Sequence, residues 1–394
     1  MKFYERKNPS MSNSLFLPTT PVLRTARSVV VAFVLLSLFG QVFPAQASSL
    51  VVGVQDRRLD IAASFAEDDV VNDQTSLRAT YTWNMGDALT LVAAGGAASS
   101  YLGLNDTRIE GPTDLRVRGL IHPGDHWVFG VGSVVPLGLY ELTANEVTTA
   151  QWVWNPRSGF PLTRLGEGLG WEATIARAFE ISGNTSLGIA AAFLRHGEFD
   201  LIEGGTASYR LGDSRSASAA IDWRLPGNGS ALLDVSFANF GSDELSGAEY
   251  LSKGNQFGMG FGLSLPMGGF VTRANLDMTY QFDNELTAAA AADTIAISES
   301  GGSRVGLSGR IGHSLGRSVL LYVDGQFAML TGSDYAIPIN GTSTAIGPGF
   351  GWRAHDSFSL GAHLAFLSST GDDDLDFTGT DVLVTLEFRP GGGQ

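Results

Sequence analysis

Residues 270–282 read FVTRANLDMTYQF, and the two parities of that stretch obey different chemistry. Phe270, Thr272, Ala274, Leu276, Met278, Tyr280 and Phe282 fall on one; Arg273, Asn275, Asp277, Thr279 and Gln281 fall on the other. Side chains of an extended chain alternate between the two faces of a sheet. This is therefore a strand with one apolar face ending in aromatic residues and one polar, charged face. Thirteen residues is long beside the about 5–6 usual in a globular sheet. It suits a tilted strand that crosses a bilayer, which needs about 9–11 residues.

The alternation recurs along the chain. Leu77, Ala79, Tyr81 and Trp83 oppose Arg78, Thr80, Thr82 and Asn84, and Leu115, Val117 and Ile121 oppose Asp114, Arg116 and Arg118. Ala217, Ala219, Ile221 and Trp223 oppose Ser216, Ser218, Asp222 and Arg224, and Val382, Val384, Leu386 and Phe388 oppose Asp381, Thr385 and Glu387. A soluble sandwich alternates too, but two further features separate the cases. Aromatic residues close the apolar faces, among them Trp83, Trp127, Trp171, Trp223, Trp352 and Phe388, where a headgroup belt places them. Connections also alternate in length. Short ones fall near 85–87, 122–126, 181–184, 225–230, 266–269, 314–317 and 354–356. Long ones fall near 67–74, 98–112, 139–168, 196–214, 241–254, 283–302, 331–343 and 369–378. Short turns at one rim and long loops at the other predict an all-β, transmembrane antiparallel β-barrel. The expected count is 16 strands. Fourteen is the alternative, because the first strand, at 57–66, and the strand at 344–353 are weaker in pattern. An even count returns both chain ends to the short-turn, periplasmic side.

Arg24 and Arg27 precede an apolar run at 28–43, and Ala45-Gln46-Ala47 forms an A-x-A cleavage site. Residues 1–47 are accordingly expected to be a signal peptide and 48–394 the barrel; a single membrane anchor is the other reading of the run. Without 1–47 the chain has 20 basic and 39 acidic side chains, a net charge of −19, and Lys253 as its one lysine. Nucleic acid is not an expected partner, since phosphate contacts need clustered Lys and Arg. The chain has no cysteine, hence neither a lipid-attachment cysteine nor a disulfide framework. Phe388, with Leu386 before it, resembles the C-terminal aromatic signal read by the barrel-assembly machinery, although 389–394 follow it. The other partners expected of a barrel in the outer membrane of a Gram-negative bacterium are membrane lipid, lipopolysaccharide and a small-molecule solute.

The polar parities supply the candidate pore-lining residues: Arg78, Arg116, Arg118, Asp222, Arg224, Asp234, Arg273, Asp277, Arg304, Arg310 and Asp324. Such charges either tune the selectivity of a pore or brace the wall with ion pairs; both readings stand. Arg177 breaks the pattern by sharing a parity with Trp171, Ala173 and Ile175, which a bulge or a rim position would explain. Gly347-Pro348-Gly349 falls inside a predicted strand, where proline implies a bulge or kink, or a strand beginning only at Gly349. A kink there would open a side exit to the membrane.

The longest loop, LYELTANEVTTAQWVWNPRSGFPLTRLGEG (139–168), is apolar for a surface segment. Trp152, Trp154, Phe160 and Leu162 are its candidate constriction or capture residues; packing against neighbouring loops or lipopolysaccharide is the alternative. Asp372, Asp373, Asp374 and Asp376 make an acidic tip without the spacing of an EF-hand, so no metal site is expected. No other cofactor is implied. Six histidines are present, but there is no G-x-S-x-G elbow and no H-E-x-x-H, and nothing marks His363 and Ser359 as a base–nucleophile pair. An enzyme is not the expected function.

Three passages, PTDLRVRGLIHPGDHWVFGVGSVVPLG (112–138), SGFPLTRLGEGLGWEATIARAFE (158–180) and the run from FDLIEGGTASYRLGD to GSDELSGAEYLSKGNQF (199–257), carry a resemblance. They are similar to outer-membrane proteins associated with the phenol meta-pathway of aromatic-compound degradation, relatives of the long-chain fatty-acid channel. The resemblance implies uptake of hydrophobic small molecules and assigns no binding residue. It departs from the fatty-acid channel in the absence of a hatch before the first strand and in 16 strands against fourteen. The expected function is a passive outer-membrane channel for small solutes, hydrophobic or aromatic compounds among them. The alternatives are a structural or adhesive barrel with a plugged lumen, and a barrel hydrolase.

Overall fold

The computed structural model describes residues 48–63, 70–104, 106–138, 142–143, 146, 149–150, 168–200, 208–286, 302–332, 340–371 and 375–389. Its strands run in chain order β1 (Ser48–Ala63), β2 (Val70–Met85), β3 (Leu89–Leu102), β4 (Thr107–Pro112), β5 (Leu115–Ile121), β6 (Trp127–Val135), β7 (Gly170–Ser182) and β8 (Thr185–Arg195). Next come β9 (Glu198–Asp200), β10 (Ser208–Arg210), β11 (Ser214–Leu225), β12 (Gly229–Phe240), β13 (Ser242–Leu245), β14 (Ala248–Ser252), β15 (Gln256–Met267) and β16 (Phe270–Gln281). Last are β17 (Glu285–Leu286), β18 (Ser303–Leu315), β19 (Val319–Thr331), β20 (Gly341–His355), β21 (Phe358–Gly371) and β22 (Leu375–Phe388).

Each wall strand pairs antiparallel with the next, and β22 closes on β1 from Leu50↔Phe388 to Ala63↔Leu375. β4 and β5 both pair with β3 and form one wall strand, so the barrel has 16 strands. Closure removes the sheet edges, so each wall strand has a pairing neighbour on both sides. The fold is that of a bacterial outer-membrane barrel. Its connections follow the expected alternation, with tight turns such as Gly268–Gly269 and Gly316 on the periplasmic rim. Gly268 (φ 62°) and Gly316 (φ 68°) adopt the left-handed backbone that a side chain disfavours.

Three local departures from the sequence expectation have physical causes. The first strand begins at Ser48 rather than 57, so 48–56 is wall. Its pattern is hard to read because its polarity inverts midway. Leu50, Val52 and Val54 face outward with Leu77, Ala79 and Tyr81, but the next outward residues are Asp56, Arg58 and Asp60. Conversely Gln55 and Arg57 face inward, and above them Leu59 and Ile61 pack inward with Val70, Leu102, Leu375 and Phe377. The lower half of the strand therefore carries apolar residues on its outward parity and polar groups inside. The upper half has the apolar interior and charged exterior of a soluble sheet, a collar above the bilayer. Same-strand pairs on its outside, Arg58–Asp60 at 3.7 Å and Arg108–Glu110 at 3.8 Å, are surface ion pairs of that collar.

The second departure lies between β4 and β5. Pro112 pairs with Ala97 but Arg116 pairs with Ala94, so one extra residue is inserted at Thr113–Asp114. This bulge flips the parity and turns Arg116 and Arg118 inward, where a regular strand would aim them at lipid. The third is Pro348. β20 runs through it in one register; the ladder to β21 passes from Ile346↔Phe366 to Gly349↔His363 with no shift, and Val323↔Pro348 pairs on the other side. The expected bulge is absent, the strand does not begin at Gly349, and a missing N–H interrupts pairing for two residues without displacing the strand. Arg177 has no bulge either; the irregularity of β7 falls between Glu180 and Ser182.

Beyond the rim, three of the long connections meet. β9, β10, β13, β14 and β17 form a separate five-stranded antiparallel sheet. Phe199, Tyr209 and Tyr250 make edge-on ring contacts at 5.7 and 6.4 Å, and the Asp243 carboxylate accepts from the Gly212 N–H at 2.7 Å and from the Tyr209 hydroxyl. Loops joined this way are held in one arrangement rather than hanging singly over the barrel mouth.

Candidate functional site

The interior face of the wall is the only concave surface the register defines, and its chemistry is set by which parity each strand turns inward. The eleven candidate pore-lining residues share one parity of the wall: in register, Arg78 lies beside Gly53 and Gly96, Arg116 beside Ala94, Arg118 between Val92 and Gly132, and Asp222 beside Ser186 and Leu232. Arg224 lies opposite Ser230, Asp234 opposite Gly260, Asp277 between Gly260 and Gly306, Arg304 opposite Thr279, and Arg273 opposite Arg310, which faces Asp324.

The structure adds Gln55, Arg57, Tyr322, Gln326, His363 and Asp381 to this face. Arg57 lies in register between Gln74 and Asp381 and is bonded to the Asp381 carboxylate, with Nε donating at 3.2 Å. Gln55 Nε2 donates to the same carboxylate at 2.6 Å. The signal for this pair existed in the sequence, because Asp381 shares the polar parity of its strand. Arg57 falls inside the expected strand at 57–66, but there it shares a parity with Leu59 and Ile61, which reads as the apolar, outer face.

Next to it stands a second pair. Arg310 binds Asp324 with two parallel hydrogen bonds, Nε to Oδ1 at 2.5 Å and Nη2 to Oδ2 at 2.6 Å, the bidentate geometry a planar guanidinium favours. Its Cζ lies 4.0 Å above the Tyr322 ring, Tyr322 stacks on His363 at 6.1 Å, and His363 Nε2 is 3.7 Å from Asp324 Oδ2. The stack requires Gly349: a Cβ there would come within 2.3 Å of the Tyr322 ring. Gln55, Arg57, Asp324, Gln326, His363 and Asp381 together border one interior cavity of about 240 Å³.

Farther round the wall, Arg118 and Glu172 join across β6, with Arg118 Nη2 donating at 2.8 Å. The strand between them carries Gly132, whose missing side chain leaves the gap; a Cβ would sit 2.5 Å from Glu172 Oε1. Opposite this region the arrangement changes. Arg304 and Asp277 are 3.3 Å apart and about half exposed. Arg78, Asp222, Arg224, Asp234 and Arg273 have no ion pair or hydrogen bond among the described residues, and Asp222, Arg224 and Arg273 are exposed.

Trp152, Trp154, Phe160 and Leu162 lie outside the described residues, as does the acidic tip at 372–374; of the long loop, Leu142, Thr149 and Ala150 are described and buried. Among the described residues no cluster of His, Cys, Asp or Glu has the arrangement of a metal site. Ser359 and His363 are not brought together: the Ser359 hydroxyl donates to Glu387 at 3.1 Å, while His363 stacks on Tyr322.

No known family model matches the chain, and no curated protein matches it significantly. Among solved structures it is similar to a mutant of the TodX monoaromatic hydrocarbon channel, at 12% identity over 88% of this chain and 91% of that one, with a TM-score of 0.44. It is also similar to the CymD monoaromatic hydrocarbon channel, at 12% identity over 88% and 89%, with a TM-score of 0.41. The outer membrane channel DcaP of Acinetobacter baumannii matches at 11% identity over 87% and 96%, with a TM-score of 0.43. These likenesses are distant; the fold rests on the closed register and the two-faced strands.

Proposed function

We propose that the protein is a passive outer-membrane channel for small solutes, and that the solvated charges of the β11–β18 side line its pathway. The observation that supports this reading is the contrast on the inner face. Asp222, Arg224, Asp234 and Arg273 have no partner among the described residues and stand next to Gly258, Gly260, Gly262, Ser216 and Ser218, so small residues leave space and the charges remain available to a passing solute. A 16-stranded wall is wide enough to hold an aqueous channel. Hydrophobic or aromatic solutes remain within this reading, with Trp152, Trp154, Phe160 and Leu162 as the capture residues. Phe388, outward on the last strand and cross-strand from Leu50 and Phe358, supports recognition by the barrel-assembly machinery.

The test is single-channel conductance of the refolded barrel in a planar bilayer, alone and with aromatic solutes added. Steady conductance whose cation-to-anion ratio rises in the R224E/R273E variant is the expected result. Silence under all conditions overturns the channel reading in favour of a plugged structural barrel. Conductance indifferent to both aromatic solute and the W152A/W154A variant removes the hydrophobic capture and leaves an open polar pore.

A further inference from the structure

The outward face of the wall is apolar between its two rims, and Arg177 interrupts it. Arg195 and Arg215 also face outward, but at the loop ends of β8 and β11; Arg177 lies within the band of β7, with Phe179 and Ile181 between it and the periplasmic turn. It is in register with Trp127 on one side and Ile189 on the other. Its guanidinium carbon lies 4.8 Å from the Trp127 ring and 4.5 Å from the Phe179 ring, and Phe129 stacks on Trp127 at 5.8 Å. These contacts answer the cation's charge in part but none of its N–H donors. Nε is buried with no partner, and no hydrogen bond or ion pair joins Arg177 to any described residue. The carboxylates of its strand do not reach it: Glu172 is turned inward to Arg118, and Glu180 belongs to the inward parity.

With Nε closed off by its surroundings, the two Nη groups are what Arg177 can offer an anion on the lipid-facing side, and that surface at the periplasmic end of a barrel meets one kind in abundance. We propose that Trp127, Arg177 and Phe179 form a binding site for the phosphodiester of a phospholipid in the periplasmic leaflet. The planar fork of an arginine matches two oxygens of a phosphodiester, and aromatic belt residues hold the fork at headgroup level. The leaflet follows from the turns. Trp127 opens β6 directly after the short connection at 122–126, and the short connections mark the periplasmic rim. The phosphates of lipopolysaccharide belong to the other surface.

The experiment is native mass spectrometry of the detergent-purified protein with phosphatidylglycerol, phosphatidylethanolamine, diacylglycerol or lipid A added. Phosphatidylglycerol and phosphatidylethanolamine are both expected to be retained and diacylglycerol not, since the phosphodiester is the shared feature. R177M is expected to lose retention by about tenfold or more, as for loss of a charge-assisted pair, and R177K to fall between because it keeps the charge without the fork. R224M, which changes an interior arginine, is the control and retains phospholipid as the parent does. Equal retention by R177M, or diacylglycerol held as well as phosphatidylglycerol, overturns the site. Preferential retention of lipid A overturns its assignment to the periplasmic leaflet. R177K also covers the case in which R177M does not fold.

Discussion

The interior charges on the two sides of the barrel differ in what they touch. On the side built by β18–β22 and β1, two pairs are sheltered: Arg57 and Asp381 have side chains 6% and 12% exposed, and Arg310 grips Asp324 beside a Tyr322–His363 stack. On the side built by β11–β16, Asp222, Arg224, Asp234 and Arg273 have no partner among the described residues. Both sides have the same sequence grammar, an apolar parity against a polar one. The difference comes from register. Where cross-strand neighbours bring opposite charges within reach, as Arg57 with Asp381 and Arg310 with Asp324, the wall is braced. Where they bring glycine, as Asp234 with Gly260, the charge is left to the lumen. The two readings of the inward charges, selectivity and bracing, are thus divided between two sides of one wall.

The largest effect that would break this contrast is the loss of one partner of the sheltered pair. Asp381→Ala takes from the buried Arg57 the carboxylate it is bonded to, which costs about 3–5 kcal/mol in comparable pairs. Asp222→Ala on the open side should change stability by no more than about 0.5 kcal/mol, as for solvated positions. Urea unfolding in lipid vesicles measures both. Similar losses for the two variants would mean that shelter on the braced side is not what distinguishes them. The double variant Arg57→Met with Asp381→Leu should recover most of the loss, because replacing both partners leaves no orphaned charge.

Gly132→Ala comes next and sharpens the contrast at its edge. The added methyl enters the space crossed by the Arg118–Glu172 bridge, meeting Glu172 Oε1 at 2.5 Å and the Val117 carbonyl at 2.9 Å. Overpacking of this kind costs about 1–3 kcal/mol. Gly188→Ala is the matching control, since a Cβ there meets nothing within 4 Å. An innocuous Gly132→Ala would mean that the bridge bends aside without loss.

How much of this was legible in the sequence varies with the physics. The wall strands from β7 to β19 lie where the alternation places them, because each keeps one phase from rim to rim. β1 does not: its outward parity changes from Leu50, Val52 and Val54 to Asp56, Arg58 and Asp60, so a search for one alternating phase finds only half of it. In the half that was found, Arg57 shares the parity of Leu59 and Ile61 and so reads as outward, and the Arg57–Asp381 pair went unread with it. The bulge at Thr113–Asp114 that sets the parity of Arg116 and Arg118 leaves no mark in the sequence beyond a Pro-Thr-Asp stretch. Whether an inward charge would be paired could not be read at all. Pairing depends on the stagger between strands distant in sequence, such as β1 and β22, and a period of two carries no information on stagger.

The smallest effect tests the intermediate case. Arg304 and Asp277 are 3.3 Å apart, an ion pair by distance, yet their side chains are 51% and 45% exposed. If distance alone defined bracing, Asp277→Asn would destabilise the barrel as a broken pair does. If shelter defines it, water already answers both charges, and the loss should be about 0.2–1 kcal/mol and should vanish as salt is raised. The same substitution acts differently on permeation, because Asp277 occupies the inward parity next to the unpartnered Asp234 and Arg273 side. Removing a solvated carboxylate shifts the cation-to-anion permeability ratio toward anions while leaving stability nearly unchanged. A variant that changes selectivity but not stability places Arg304–Asp277 with the open side. One that changes stability but not selectivity places it with the braced side, and the boundary between the two then lies between β12 and β16 rather than between β16 and β19.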